Sequence, residues 1–263
     1  MRIELRKSTL ILLMMLASAS LYAQLPEEIQ WKYLVKTYTP DSSQMVLSLN
    51  GKPLDGKYKI PLDENSFALY TIKDGMINGQ AFWYSNGGHL EGKLYYKKGV
   101  RDGVKENYDS DGKVWLRQEY KDGKQHGINE MYGNGKLVNK TEYKNGKKHG
   151  WHYSYTDERV TTESYYEDGM QNGAYKSYMR DGKLSIEANY KDDQRHGLTT
   201  MYANGVKNMD FNYENGQKNG VSHMYKPDGS VIFESYYVLD KKVSKADFEK
   251  YQEDLKRKTG KKL

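Results

Sequence analysis

The chain has 263 residues, a formal net charge of +6, 37% hydrophobic residues and no cysteine. Without cysteine there are no disulfides, thiol nucleophiles or thiolate-held metals, and the mild charge with both signs interspersed is not a nucleic-acid footprint. The 25 tyrosines and 4 tryptophans exclude disorder, so a polar but aromatic chain of this kind predicts a thin sheet or solenoid in which each residue has at most one buried face.

Residues 1–23 read as an export signal. Arg2, Arg6 and Lys7 precede an apolar run from Leu10 to Ala17, and small residues lead to Ala23 before Gln24. The run is too short to span a bilayer. The mature chain is therefore expected in the periplasm or outside the cell. Residues 24–50, with Pro26, Trp31 and Pro40, are irregular and predict an N-terminal cap or linker.

Residues 51–240 repeat. One tyrosine series is Tyr96, Tyr120, Tyr143, Tyr166, Tyr190, Tyr213 and Tyr237, at spacings of 24, 23, 23, 24, 23 and 24 residues. A second series, Tyr84, Tyr108, Tyr132, Tyr155, Tyr178, Tyr202 and Tyr225, keeps the same beat. Between them stands a fixed glycine: Gly79, Gly103, Gly127, Gly150, Gly173, Gly197 and Gly220. Each unit also carries two turn signals such as Asn134-Gly135 and Asn145-Gly146, which supply the positive φ of tight hairpins. Two turns per unit mean two strands per unit. The fold class is thus all-β: an elongated, twisted antiparallel sheet of stacked β-hairpin repeats, about 23–24 residues each. Asp157-Glu158 keeps the Asp but lacks the Gly, which predicts a looser loop at 156–159.

Counted from the turn glycine, the even positions of the longer strand are mostly apolar and the odd ones largely polar. On that count the two tyrosine series form two ladders at opposite edges of one face. A ring over each fixed glycine would shield its bare backbone.

Residues 241–263 predict a C-terminal helix and basic tail. Ser244 and Asp247 resemble a capping box, and Phe248, Tyr251 and Leu255 share one helical face over about 245–258. That face should cover the last strand, protecting an open sheet edge.

No catalytic arrangement stands out, no phosphate loop is present, and no cofactor or metal is expected. His126, His149 and His196 share one repeat position with Asn78, Asp102, Asn172 and Asn219, all residues that tolerate turn conformations. Neighbouring units are about 10 Å apart, too far for two of these imidazoles to meet on one metal. The less bland pattern is the fifth position of the longer strand: Lys93, Arg117, Lys140, Glu163, Glu187, Asp210 and Glu234. It runs from basic to acidic and is the candidate binding row on the polar face, although lysines at the first position dilute the segregation.

The units Tyr120-Lys-Asp-Gly-Lys-Gln-His-Gly127 and Tyr143-Lys-Asn-Gly-Lys-Lys-His-Gly150 resemble the MORN repeat in its bacterial variant form, over about Gly51 to Asp240. The resemblance implies a rod or twisted sheet of hairpins. Its bacterial members include YwqK-like antitoxin components, which implies a protein partner, and the eukaryotic members imply phospholipid or scaffold contacts. The expectation is a non-catalytic, exported protein-interaction or scaffold module that could self-associate. The alternative is a protein binding envelope glycan or lipid headgroups, whose aromatic rows would stack on sugar rings.

Overall fold

The computed structural model describes residues 26–40 and 44–260. The export signal read over residues 1–23 lies outside them. Two compact units follow one another in the chain, dividing after Lys124.

In the first unit, strands β1 (Glu27–Glu28), β2 (Val35–Tyr38), β3 (Met45–Leu49) and β4 (Lys52–Pro53) precede the regular hairpins. These are built from β5 (Gly56–Pro61), β6 (Phe67–Lys73), β7 (Met76–Tyr84), β8 (Leu90–Lys97), β9 (Val100–Tyr108) and β10 (Val114–Lys121). Strands β5 to β10 pair antiparallel in sequence order. β1 lies parallel to β5, while β2, β3 and β4 form a separate small sheet. Ile29, Leu34, Leu47 and Leu54 from this leading segment join Ile60, Ala68, Ile72 and Ala81 in an apolar core. Leu47, Ile60 and Ile72 are fully buried, each worth roughly 1.5–3 kcal/mol of burial.

The second unit continues with β11 (Lys124–Gly133), β12 (Lys136–Lys144), β13 (Lys147–Thr156), β14 (Arg159–Glu167), β15 (Met170–Tyr178) and β16 (Leu184–Lys191). Next come β17 (Gln194–Arg195), β18 (Gly197–Ala203), β19 (Val206–Glu214), β20 (Gln217–Lys218), β21 (Gly220–Tyr225), β22 (Val231–Val238) and β23 (Lys241–Val243). Consecutive strands again pair antiparallel, with β17 and β18 two pieces of one strand along β16, and β20 and β21 two pieces along β19. The buried side chains here are small or polar, among them Thr141, Ser164, Ala188, Thr199, Ser222 and Ser235. A layer this thin is held by its backbone ladder and by the tyrosines that flank it.

Every fixed glycine stands directly opposite a first-series tyrosine: Gly79–Tyr96, Gly103–Tyr120, Gly127–Tyr143, Gly150–Tyr166, Gly173–Tyr190, Gly197–Tyr213 and Gly220–Tyr237. On its other side the same glycine sits in a bulge. In β9, for example, Leu94 pairs with Lys105 but Tyr96 pairs with Arg101, so three residues oppose Tyr95. The glycine absorbs the bulge with a positive φ, 128° at Gly220 and 125° at Gly103. A Cβ at Gly220 would lie 2.9 Å from Asn212 Cβ, and one at Gly103 3.0 Å from Tyr95 Cβ. Conformation and space together therefore demand glycine. The residue before it carries no positive φ, which corrects the turn-tolerance reading of that position. Its side chain instead reaches the next turn, as where Asn78 Oδ1 accepts the Lys98 N–H at 3.0 Å.

Two turn types explain the uneven period. Asn134-Gly135, Asp157-Glu158 and Asn204-Gly205 are two-residue turns with both φ positive, and their units have the 23-residue spacing. At 109–113, 179–183 and 226–230 the turn is one residue longer and closed by paired backbone bonds such as Asp109 N–H to Lys113 O, 2.9 Å. Those units have the 24-residue spacing. The expected looser loop at 156–159 is not found. Asp157 and Glu158 adopt φ of 51° and 64°, and Thr156 pairs directly with Arg159. The strands on either side hold the turn tight without the glycine.

The helix α1 (Lys245–Thr259) follows β23. Ser244 Oγ accepts the Asp247 N–H at 3.1 Å, and Gly260, at φ 64°, closes the C-terminus. Phe248 is buried, its ring 5.4 Å from that of Tyr236 in β22.

Two stability outcomes are expected. Gly220→Val should cost about 3 kcal/mol, combining positive-φ strain with overpacking; an unchanged melting curve would refute the bulge account. Glu158→Gly should raise stability by about 1 kcal/mol by relieving the left-handed conformation, read as a higher melting temperature.

Candidate binding faces of the repeats

The bulges reset the alternation, so the two tyrosine ladders lie on opposite faces. This corrects the placement of both on one face. Beyond each turn, two longer-strand residues oppose one tyrosine: Tyr84 pairs with Leu90 while Trp83 pairs with Gly92. The second-series tyrosines therefore share a face with the fifth-position charges, and the first-series tyrosines face the other way.

On the first-series face, cations interleave with the rings. The Arg101 guanidinium lies 5.6 Å from the Tyr120 ring, Lys148 Nζ 4.8 Å from Tyr166, and Lys218 Nζ 5.2 Å from Tyr237. Arg195 donates to both Tyr190 Oη and Tyr213 Oη at 3.4 Å. The three ring contacts each tie a single hairpin together, whereas Arg195 joins the tyrosines of two successive hairpins.

On the opposite face the fifth-position row is joined, across the strands, by the third residue after each fixed glycine. In the first unit the register reads Phe82, Lys93, Glu106, Arg117. In the second it reads Glu130, Lys140, Tyr153, Glu163, Lys176, Glu187, Thr200, Asp210, His223, Glu234. Most of the predicted row is thus engaged internally. Lys93 Nζ lies 2.7 Å from Glu106, and Arg117 reaches Glu106 and Glu119 at 3.9 and 3.1 Å. Glu163 accepts from Tyr178 Oη at 2.8 Å, Glu187 from Tyr202 Oη at 3.2 Å, and Glu234 from Tyr236 Oη at 2.6 Å. Burial, with the Glu163 hydrogen bond second, pushes the Tyr178 phenol up to about 12. Lys140 stands between Glu130 and Tyr153. The interposed Glu106, Glu130, Lys176 and His223 break the simple basic-to-acidic order. Reading the short strand at the same periodic offset would have exposed them.

The densest node surrounds Asp210, which is 3% exposed. Its carboxylate accepts from Tyr225 Oη at 2.6 Å, His223 Nδ1 at 2.8 Å and the His223 N–H at 3.0 Å, with Lys207 Nζ at 2.9 Å. Burial works to raise its pKa, but the bonds from Tyr225, Lys207 and His223 outweigh this and hold it at about 2. This is a structural knot whose every acceptor lobe is used, with no room for a ligand.

All fourteen tyrosines of the two series are half-buried, so neither ladder presents bare rings as a platform. Among the described residues, no three of His, Asp and Glu gather in a metal-sized cluster. Among the described residues, the outer edge of β22 remains open. Each earlier longer strand of the second unit finds a partner at its fifth position in the next short strand, as Glu187 does in Thr200 and Asp210 in His223. β23 pairs only with Tyr236, Tyr237 and Val238 before α1 begins. Val231, Ile232 and Phe233 are left 46%, 50% and 47% exposed.

A family model described as the MORN repeat variant matches residues 101–122 and 171–192. Each match covers one hairpin: the fixed glycine, a second-series tyrosine, the longer turn and a first-series tyrosine. A comparison with curated proteins found no match. The chain is thus a β-hairpin repeat protein carrying MORN-variant units, an architecture suited to binding or scaffolding.

Asp210→Asn should destabilise the second unit by about 3 kcal/mol, because it leaves buried donors facing an amide. The carboxyl titrates near 2 when folded, against 3.8 for a free aspartate, so its contribution is complete above about pH 4 and lost as pH falls through 2. Denaturant melts between pH 5 and 2 should show roughly 2 kcal/mol of acid sensitivity in the native chain that the variant lacks.

Proposed function

We propose that this is an exported, non-catalytic interaction module whose protein partner adds a strand to the free edge of β22. The carrying observation is that edge: among the described residues no strand pairs with it before Tyr236, beside exposed Val231, Ile232 and Phe233. Strand addition takes its affinity from main-chain hydrogen bonds and its specificity from alternate side chains. The signal-like residues 1–23 support export to the periplasm or beyond, and the MORN-variant matches support a scaffold. An antitoxin-like role rests on the family resemblance alone. A glycan reading of the tyrosine ladders loses support from their half-burial and from hydroxyls engaged with carboxylates.

The test compares the mature chain with an Ile232→Lys, Phe233→Lys variant in affinity capture from envelope extract. A stoichiometric protein held by the native chain and lost from the equally stable variant supports the reading. Capture unaffected by the variant, or of polysaccharide alone, overturns it. A dimer that the variant abolishes would make a second copy the partner.

A further inference from the structure

The helix α1 is anchored at its first turn, where Phe248 is buried against Tyr236. The same helical face further on, Tyr251, Gln252, Leu255 and Thr259, lines a cavity of about 770 Å³. The facing wall comes from the stretch β17 to β21 and includes Gly197, Asn212, Gln217 and Gly220. The floor is low here. Elsewhere a ring stands over the fixed glycine: a Cβ at Gly103 would lie 3.0 Å from Tyr95, and one at Gly173 3.4 Å from Tyr165. At Gly197 such a Cβ would meet nothing within 4 Å. Over Gly220 the place of those rings is taken by the shorter Asn212.

The volume falls within the range of ligand sites, roughly 300–1,000 Å³. With His196 neutral, Glu214 is the one charged residue of the lining, in a chain that is 29% charged. Its carboxylate accepts from Asn219 Nδ2. The polar groups that remain are mostly amides. Asn212 Nδ2 donates to Val221 O at 2.8 Å, which fixes that amide and leaves its oxygen to accept. Among the described residues, the Gln217 and Gln252 side chains have no protein partner. An amide sets a donor and an acceptor side by side, the complement of a pair of hydroxyls. Tyr251 and Leu255, both half-buried, supply an apolar wall. A purely apolar ligand would leave the amides unpaired. An extended peptide draws its affinity from a free strand edge, and β18, β19 and β21 are already paired on both sides. A neutral ring with an apolar face and a hydroxylated rim satisfies both walls.

We propose that this cavity binds a neutral saccharide, with the apolar face of one ring on Tyr251 and Leu255 and its hydroxyls on Asn212, Gln217 and Gln252. The site goes beyond strand addition at β22 and shares no residue with Val231, Ile232 and Phe233 on that edge.

Calorimetric titration of the full chain with maltose, cellobiose, lactose and tetra-alanine tests it. At least one of the disaccharides should bind saturably, and the peptide should not. Gln252→Ala, which removes one unpartnered amide, should weaken that binding roughly tenfold. Tyr251→Ala should weaken it at least as much, and Gln252→Ala decides the matter if Tyr251→Ala lowers the melting temperature. The Ile232→Lys, Phe233→Lys variant should bind the sugar as the native chain does, so loss of the strand partner and loss of the sugar are read separately. No saturable heat from any of the disaccharides up to about 10 mM, far weaker than the usual range of specific sites, would overturn the proposal. So would tetra-alanine bound as tightly as the sugars, or sugar binding that survives both substitutions.

Discussion

The pairing of a bare glycine with a tyrosine across the strand is the contact from which the rest of the architecture follows. The glycine is there because the bulge needs a positive φ, and at Gly103 and Gly220 a Cβ would also be crowded. A first-series tyrosine stands directly opposite it in the register. Once this pair is placed seven times, the register of every strand between successive pairs is set. A second bulge beside each turn, with two longer-strand residues opposite one tyrosine, shifts the alternation and puts one tyrosine ladder on each face. A repeat with few apolar residues can then fold, because both faces carry half-buried rings tied down by cations on one side and carboxylates on the other.

The period, the hairpins and the helix cap were legible because they depend on local chemistry: Gly and Asn at positive φ, tyrosines at constant spacing, and Ser244 three residues before Asp247. The face assignment was not. Strict alternation assumes an unbroken strand, and the one extra residue beside each turn shifts the parity of the longer strand beyond it. The tight turn at Asp157-Glu158 was also hidden, since local propensity disfavours it and only the flanking ladder enforces it. The core of the first unit escaped for a different reason. Ile29, Leu34, Leu47 and Leu54 come from a stretch without period, and only three-dimensional placement brings them together.

The candidate charge row shows the limit of reading one strand at a time. Lys93 to Glu234 form a real series, but the short strands supply alternate members, and these neutralise or lock most of it. Asp210 illustrates the outcome: four donors converge on a buried carboxylate, which makes it a structural rivet. Binding surfaces are better sought where the repeat departs from its own rule. One departure is the curtailed strand β23, which leaves an edge unpaired.

The bond from each turn to the unit before it has a kinetic consequence. Gly146 N–H reaches Gln125 O, Gly169 reaches Lys148, and Gly216 reaches Arg195, each about one repeat back along the chain. Contacts of such short range carry little loop-closure entropy and favour rapid formation. A chain of this kind can assemble vectorially, each hairpin docking on its predecessor as soon as it emerges, with no need to wait for distant sequence. After β23 the chain forms α1 in place of a further hairpin, and the propagation of this sheet pauses there.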